Sequence, residues 1–390
     1  MNFDFSDEQH ELRSTARKFF TQRVQFDDLR RRADASDAGD DELFDAALWR
    51  DMAKLGWLGA AIPDALGGAG LGALELCVLA EEFGRSIAPV PFVLSTCVVA
   101  EAIRRYGTKA QCDRYLAPIA RGDLIATFAL AKGPAGSSTA PSASVYSTAT
   151  GHLKGAKLPV LDATRAGVAL VACHADSSNG PVMLALVDLP QPGVTITPIQ
   201  HFDPFRAQAR VEFHDAVATP LGDAPPDVAV LESILDQAAI YTAFEQVGGA
   251  SACLDMACAY ALERRVFARP IGSFQAIKHR LADMATKIEL ARSNAYFAAW
   301  ALQQQNDGKA SDIPGGMALA AATARVSASE AFDYAARENQ QVHGGMGYTW
   351  EANCHPYYTR AKALSTWLGG NAYWSKRLIA ALERDMQHAA

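Results

Sequence analysis

The sequence predicts a multidomain α+β protein with an N-terminal all-α domain, a middle β-barrel domain and a C-terminal four-helix bundle. Two observations predict this order. Apolar residues recur at helical spacing towards both ends of the chain, whereas the middle holds short apolar runs rich in Val and Thr between Gly, Pro, Ser and Asp clusters. Strands and helices do not alternate within the three zones. We place the domain boundaries at residues 1–122, 123–230 and 231–390.

Composition excludes several classes of protein. The chain has 390 residues and a net charge of -7, and it has no Lys/Arg run, which argues against nucleic acid as a partner. No apolar stretch reaches the roughly 20 residues of a membrane span. The acidic, amphipathic N-terminus does not resemble a secretory signal. Seven scattered cysteines without a CxxC pair indicate reduced thiols, so we expect a cytoplasmic protein.

The first zone is predicted to be helical. Ser6 precedes an acidic first turn, and Leu12, Phe19 and Phe20 follow at helical spacing. The glycine-rich stretch 68–72 resembles a dinucleotide-binding loop. It lacks a preceding strand and a βαβ unit, so we interpret it as the entry to a helix.

Four long helical patterns after the β zone predict the bundle: residues 231–267, 274–304, 314–341 and 373–390. Gly369 and Gly370 break the pattern before the last helix, where glycine permits a left-handed residue and a close backbone approach. His355 lies near Cys354 and Tyr357, but no second ligand pair has suitable spacing. We therefore expect no metal site.

Three stretches carry a resemblance to a known family: LWRDMAKLGWLGAAIPDALGGAG (48–70), RRVFARPIGSFQAIKHRLADM (264–284) and QVHGGMGYTWEANCHPYYTRAKAL (341–364). They resemble the acyl-CoA dehydrogenase family, and the likeness covers essentially the whole chain. The resemblance implies the helical–β–helical fold of that family, an FAD cofactor and an acyl-CoA substrate. It also implies subunits that complete one another's FAD sites, and electron-transfer flavoprotein as an electron acceptor.

The resemblance implies 2,3-desaturation of an acyl-CoA thioester. The thioester carbonyl acidifies the Cα proton, which a carboxylate base removes, while N5 of the flavin accepts the Cβ hydrogen as hydride. In the family, flavin and thioester are enclosed between the β domain and the helical domains, which excludes water.

By the resemblance, the residues that complete a neighbour's FAD are retained. Arg264 matches the arginine that meets the pyrophosphate, a role that suits a permanently charged guanidinium. Phe267 and Gln275 fall on matching positions, and Ala268 replaces the usual glycine. The other matches belong to a turn whose bare backbone lets the adenosine diphosphate come close: Gln341, Gly344 and Gly345.

By the same comparison, the segment beside the chain's own flavin is poorly kept. Gly136 and Ser137 match the family and are predicted cofactor contacts. The family's hydroxyl, Glu and Asp positions nearby hold Ala131, Lys132 and Ser138 instead. The chain's own half of the flavin site is therefore expected to be weak.

The reacting end of that half also lacks its usual groups. Pro159 replaces the tryptophan that flanks the ring, and Leu161 replaces the threonine that reaches N5. Gly369 takes the place of the catalytic glutamate of short- and medium-chain members. Ala238 takes the alternative position that other members use, and neither residue can accept a proton.

Three acids near these positions leave the catalytic base unassigned. Asp236 and Glu232 lie within about two helical turns of Ala238. We interpret both as solvated carboxylates at a helix N-terminus, although Asp236 is a conceivable substitute base. Glu245 sits in an apolar helix, where pairing with a basic residue is one expectation and its role stays open.

Three functional hypotheses follow. In the first, the chain is the base-lacking subunit of a heteromeric acyl-CoA dehydrogenase and donates Arg264 and the turn at 341–347 to a sister chain. In the second, it is a homo-oligomeric acyl-CoA dehydrogenase whose base has moved to Asp236 or Glu232. In the third, it is a non-catalytic scaffold that has lost flavin. A flavin monooxygenase on this fold is a fourth option, and the acyl group stays unassigned.

Overall fold

The computed structural model describes residues 5–35, 43–130 and 144–389 of the chain. Over those residues the chain forms helices, then a sheet, then helices again. The N-terminal helices are α1 (Asp7–Arg23), α2 (Phe26–Ala35), α3 (Ala46–Lys54), α4 (Ala73–Ser86), α5 (Glu101–Tyr106) and α6 (Lys109–Ala120). A π-helix, Val93–Ala100, runs directly into α5, and all of its residues are buried.

Local capping explains where these helices begin. Ser6 and Gln9 close a capping box at the start of α1, in which each side chain accepts the other's backbone N–H. Asp45 caps α3 through the backbone N–H groups of Ala47 and Leu48. The glycine-rich stretch 68–72 leads into α4, and no strand precedes it in the described residues. The interpretation of that stretch as a helix entry is confirmed.

The middle of the chain forms one curled sheet of eight strands: β1 (Ala126–Ala129), β2 (Ser144–Ser147), β3 (His152–Leu161), β4 (Val168–Ala175), β5 (Val182–Asp188), β6 (Val194–Pro198), β7 (Gln208–Val217) and β8 (Thr219–Pro220). The order is β6-β7-β3-β2-β4-β5-β8, and β1 also pairs with β4. β4 runs parallel to β1 and β2, and the other pairs are antiparallel. The inward side chains form a core that includes Val171 and Phe213.

The C-terminal part consists of α7 (Val228–Glu263), α8 (Gln275–Asn306), α9 (Gly316–His343), α10 (Cys354–Thr366) and α11 (Asn371–Ala389). α7 packs against α4, α8 and α9, and α9 also contacts α10 and α11. None of the described helices combines the length and apolar character needed to cross a membrane. In the described part of the chain, no three His, Cys, Asp or Glu side chains are grouped as a metal ion would require.

Glycine on both helices sets the close crossing of α4 and α7. A Cβ on Gly84 would stand 2.0 Å from the Glu245 carbonyl oxygen, and a Cβ on Gly248 would stand 1.8 Å from the Glu81 carbonyl oxygen. Neither contact allows a side chain, because backbone faces backbone. This crossing holds Glu245 rigidly in the interior, where its side chain is fully buried.

The first bundle helix ends at Glu263 rather than at the predicted Phe267. Arg264 has an extended conformation, and its backbone N–H donates to the Tyr260 carbonyl. A short hairpin follows, formed by β9 (Arg265–Val266) and β10 (Arg269–Pro270). Phe267 and Ala268 form its tip with φ values of 50° and 61°. The extended backbone at Arg264 ends the helix, and the two left-handed residues close the hairpin turn.

The last two helices are separated at the glycine pair, as predicted. α10 ends at Thr366, and α11 begins at Asn371. Leu368 and Gly369 between them have φ values of 61° and 92°. The indole Nε1 of Trp374 donates to the Leu368 carbonyl oxygen over 3.0 Å and fixes this turn.

We expect Ala268→Gly to raise the stability of the chain by about 1 kcal/mol, because an L-residue with a Cβ is strained in the left-handed region. The matched control is Ala282→Gly, at an exposed position inside α8. That change should lower stability by about 1 kcal/mol, because glycine is a poor helix former. Calorimetric unfolding of both variants measures the difference, and equal losses in the two would contradict the strain at Ala268.

Candidate functional site

The predicted cofactor-binding residues that the structure describes all lie at one end of the bundle. Arg264 follows the end of α7, Gln275 is the first residue of α8, and Gln341 lies in the last turn of α9. The rings of Tyr260 and His343 stack with centroids 4.2 Å apart, which joins the ends of α7 and α9. Antiparallel packing thus gathers distant parts of the sequence on one surface.

This end of the bundle exposes its functional groups in the single chain. The side chains of Arg264, Gln275 and Gln341 are exposed, and Phe267 at the hairpin tip is 86% exposed. The groups are therefore available to a ligand or chain outside this one.

The glycines at the end of α9 leave the backbone bare. Gly344 ends the helix with a φ of 62°, which explains the first glycine. A Cβ on Gly344 or Gly345 would meet no atom of this chain within 4 Å. Packing inside the chain therefore does not demand Gly345, and its open side permits a close approach from outside.

A second region of interest is a cavity of about 30 Å³ between the sheet and α10. It contains Pro159 and Leu161, the two residues predicted to face the chain's own flavin ring. The other lining residues are His201, Asp203, Arg206, Gln208, Arg360, Ala363, Leu364, Thr366 and Trp367. The other residues compared with the family in this half, Ala131, Lys132, Gly136, Ser137 and Ser138, lie outside the described residues.

A buried ion pair closes the floor of this cavity. Arg360 on α10 donates from Nε to Asp203 Oδ2 over 2.7 Å and from Nη2 to the Phe205 carbonyl over 3.3 Å. The Asp203 carboxylate also accepts the Phe205 backbone N–H over 3.1 Å. Both charged side chains are at most 2% exposed. The pair ties the loop before β7 to the bundle.

Glu245 joins this pair to a second arginine. Its Oε1 lies 3.6 Å from Arg360 Nη1 and 3.8 Å from Arg206 Nη1, so the expected pairing with basic residues is confirmed. Both distances are too long for hydrogen bonds, and the Glu245 oxygens have no hydrogen-bond partner. Burial raises the pKa of Glu245, and the two guanidinium groups only partly offset it.

Arg206 extends into the cavity from the sheet side. Its Nε donates to Asp162 Oδ2 over 3.3 Å, and its guanidinium carbon lies 5.8 Å from the centre of the Trp367 ring. Nη1 and Nη2 are buried without a hydrogen-bond partner. Burial also raises the pKa of the Asp162 carboxyl, against the attraction of Arg206. We name Asp162, Asp203, Arg206, Glu245 and Arg360 the buried charge cluster.

Arg325 holds the turn at the end of α10. Its Nη2 donates to the carbonyls of Leu364 and Trp367, the latter over 2.8 Å, and its Nη1 donates to Gln246 Oε1 and Ser329 Oγ. The guanidinium is fully buried without a carboxylate in contact, and burial lowers its pKa to about 9. It thereby satisfies carbonyls that a helix end leaves unpaired.

The turn that Arg325 holds carries Gly369, which has no group that accepts a proton. Ala238, at the alternative position, is fully buried. A carboxylate at either place would have to come from another residue. The two nearest candidates in sequence are Asp236 and Glu232.

The expectation of a solvated Asp236 is wrong. Its carboxylate is buried and accepts a hydrogen bond from Arg377 Nη2 on α11 over 2.5 Å. Burial raises the pKa of Asp236 to about 6 in spite of Arg377. The cause is the pairing with Arg377 of α11, 141 residues further along the chain, which the local sequence does not reveal. Glu232 is exposed, in agreement with the expectation for it.

Sequence reasoning missed three residues of this region: Asp203, Arg206 and Arg325. Arg325 had a detectable signal, because it is a lone charge in the alanine-rich stretch ALAAATARVSAS. A solitary arginine on an apolar helix face indicates buried acceptors. Asp203 and Arg206 stand in a short loop, where charged residues are ordinarily solvated, and only the fold reveals their burial.

Comparisons with known proteins agree on one family. The family model described as acyl-CoA dehydrogenase, N-terminal domain, matches residues 6–123, and the model of the C-terminal domain matches residues 228–382. The chain is similar to acyl-CoA dehydrogenase IpdE2 of Mycobacterium tuberculosis, with 32% identity over 85% of this chain and 84% of the relative. It is also similar to the mitochondrial short-chain specific acyl-CoA dehydrogenase of Bos taurus, with 31% identity over 87% and 82%.

Solved structures show the same likeness over nearly the full length. A variant of the Tcur3481-Tcur3483 steroid ACAD superposes with a TM-score of 0.85 and 32% identity, covering 98% of this chain and 99% of the other. A chain of the ChsE4-ChsE5 complex from Mycobacterium tuberculosis superposes with a TM-score of 0.85 and 27% identity, covering 98% and 99%.

We expect Asp203→Asn to lower the stability of the chain by about 3–5 kcal/mol, because the buried Arg360 loses its hydrogen-bonded carboxylate and keeps only Glu245, 3.6 Å away. The control is Asp113→Asn, which breaks the exposed Lys109–Asp113 pair on α6. The control should cost less than about 1 kcal/mol. Urea unfolding measures both, and equal effects would show that burial of the Asp203 pair does not matter.

Asp236 should make stability depend on pH between about 4 and 6. Its pKa is raised from 3.8 to about 6 on folding, so the folded chain binds the proton more tightly and loses stability as pH rises through this window. From pH 4 to pH 7, Asp236→Asn should gain about 2–3 kcal/mol relative to the wild-type chain. Glu232→Gln is the control. A difference between Asp236→Asn and wild type that is constant with pH would contradict the raised pKa.

Proposed function

This chain belongs to the acyl-CoA dehydrogenase family of FAD-dependent oxidoreductases, and we propose that it is the subunit that completes a sister chain's flavin site in a heteromeric enzyme. In this proposal the sister chain supplies the ring pocket and the base that removes the substrate's Cα proton. The reaction is 2,3-desaturation of an acyl-CoA thioester, for which bound FAD supplies the hydride acceptor.

The end of the bundle fits the adenosine diphosphate part of a neighbour's FAD. Arg264 would pair with the pyrophosphate, because an exposed guanidinium carries fixed charge and paired donors. Gly344 and Gly345 would admit the ligand against bare backbone, where a Cβ has 4 Å of free space. Phe267 would cover an apolar face, and Gln275 and Gln341 would supply side-chain amides.

The chain's own ring pocket does not offer the same fit. Pro159 and Leu161 bring neither an aromatic wall nor a hydrogen-bond donor to it. The cavity between them and Trp367 measures about 30 Å³. The predicted contacts Gly136 and Ser137, which lie outside the described residues, remain part of the prediction for this half.

The observation that carries the proposal is the separation of the two halves. The residues facing a neighbour are gathered and exposed at one end of the bundle. The two positions where the family keeps its base hold Gly369 and Ala238, and the nearest acid, Asp236, is held by Arg377. One half is suited to serve a partner, while the other lacks the group that starts the reaction.

A homologous sister chain is the partner that this division requires, because the retained half acts only on another chain's cofactor. The similarity to chains of the ChsE4-ChsE5 and Tcur3481-Tcur3483 assemblies supports a heteromer. The likeness to a steroid ACAD also favours a bulky acyl group, since the loss of one site of a pair leaves room for a larger substrate in the other. Electron-transfer flavoprotein is the electron acceptor by family resemblance.

A second candidate is a homo-oligomeric acyl-CoA dehydrogenase in which Asp236 is the base. One observation favours it: the pKa of Asp236 is raised to about 6, which suits a general base near neutral pH. Against it, Arg377 occupies an oxygen of that carboxylate. This candidate requires each chain to bind its own flavin.

The stoichiometry of FAD separates the two candidates. We expect the chain purified alone to be colourless, and the complex with a co-expressed homologue to hold about one FAD per pair of chains, measured by absorbance. About one FAD per chain, reduced by an acyl-CoA in the absence of a sister, would replace the heteromer by the second candidate.

We further expect Arg264→Gln in the co-expressed complex to weaken FAD binding by about 10- to 100-fold, because a charge-assisted contact worth about 1.5–3 kcal/mol is lost. The control is Arg265→Gln, the exposed neighbour whose Nη1 lies 3.4 Å from the Ala268 carbonyl oxygen. Dialysis followed by flavin absorbance measures retention. Equal retention in both variants would place the pyrophosphate elsewhere.

A further inference from the structure

The cavity between the sheet and α10 contains a charged group that hydrogen bonds satisfy only in part, because Arg206 donates from Nε alone. Nη1 and Nη2 of Arg206 are buried without a partner, and Gln208 Oε1 on the same wall is also unpaired. Buried guanidinium groups are ordinarily fully hydrogen-bonded. Two nitrogens of the Arg206 guanidinium are therefore left without hydrogen bonds in this cavity.

Arg206 lines the same cavity as the two residues predicted to face the flavin ring. The flavin ring expected from the family would lie beside Pro159 and Leu161, and both residues line this cavity. On the opposite side stands the Trp367 ring, with the guanidinium carbon of Arg206 5.8 Å from its centre. A flat cation on an indole face is a stable arrangement.

We infer that Arg206 fills the place of the flavin ring in this chain's own site and keeps that site closed. The inference rests on the proposed function, in which the ring belongs to the sister chain. The inference goes beyond the proposed function because it names the residue that closes the site. The Arg206 side chain closes it, in addition to the loss of flavin contacts at Pro159 and Leu161.

The remaining volume agrees with a filled site. About 30 Å³ is left in the cavity, which is room for roughly two water molecules. Pockets for ring-sized ligands measure roughly 300 Å³ or more. A ring could enter only if the Arg206 side chain left.

The buried charge cluster keeps Arg206 in place. Asp162 accepts a hydrogen bond from Arg206 Nε over 3.3 Å, and Glu245 lies 3.8 Å from Nη1. Withdrawal of the guanidinium would leave Asp162 with no cation in contact and Glu245 with Arg360 alone. Uncompensated buried charge is strongly unfavourable, so the closed arrangement is stable.

Riboflavin is the probe that tests this inference, because it carries the ring without the adenosine diphosphate that the bundle end would bind. We titrate the full-length chain, without a sister, and follow quenching of riboflavin fluorescence by the Trp367 ring. Wild type should show no saturable quenching. Arg206→Ala should show saturable quenching with an affinity at least about tenfold above that of wild type, and Arg206→Lys, which refills the space, should behave as wild type.

Saturable quenching by wild type, or none by Arg206→Ala, would overturn the inference. If Arg206→Ala alone does not fold, Arg206→Ala with Asp162→Asn removes the carboxylate charge left without a cation and is titrated in its place under the same criteria. The proposed function is judged separately, by FAD per pair in the complex. If the wild-type chain binds riboflavin and the complex holds one FAD per pair of chains, the inference about Arg206 is wrong and the proposed function stands.

Discussion

The buried charge cluster is the interaction on which the arrangement of this protein depends. It joins Asp162 and Arg206 of the sheet region to Glu245 of α7 and Arg360 of α10. Charges this deep persist only with counter-charges at fixed positions, so the cluster admits a single docking of sheet on bundle. The glycine contacts between α4 and α7 then fix the backbone that carries Glu245. The cavity between the sheet and α10 is positioned by this docking.

The two regions predicted to contact FAD, at the end of the bundle and between the sheet and α10, have different surroundings. The half at the end of the bundle is exposed and built on the ends of long helices, so it is rigid before any partner arrives. The half between sheet and α10 is buried and nearly filled, with Arg206 on Trp367 and Arg325 holding the turn at Gly369. The region at the end of the bundle is suited to contact another chain. The region between the sheet and α10 is suited to stabilise the fold. This contrast supports a division of labour between sister subunits.

The tip of the β9–β10 hairpin has a strained backbone conformation. By the family resemblance Ala268 replaces a glycine, and its φ of 61° is a conformation that glycine adopts without strain. The chain nevertheless keeps the hairpin that presents Phe267 outward. Retention of a strained conformation at an exposed tip is in keeping with a surface role, because the Phe267 ring is 86% exposed and meets only the edge of Phe274 among the ring contacts of the described residues.

The sequence by itself determined the order of helical, β and helical zones, the family and the break at Gly369. These features depend on periodicity, glycine and local motifs, which are properties of neighbouring residues. Only the tertiary structure decided which charged residues are buried and which residues they pair with. Asp236 lies near a helix start and looked solvated, yet α11 buries it beside Arg377. Arg206 stands in a loop, and the docking of sheet on bundle turns it into the filling of a pocket. Burial and pairing of charges are set by segments far apart in the chain, and local patterns carry no record of them.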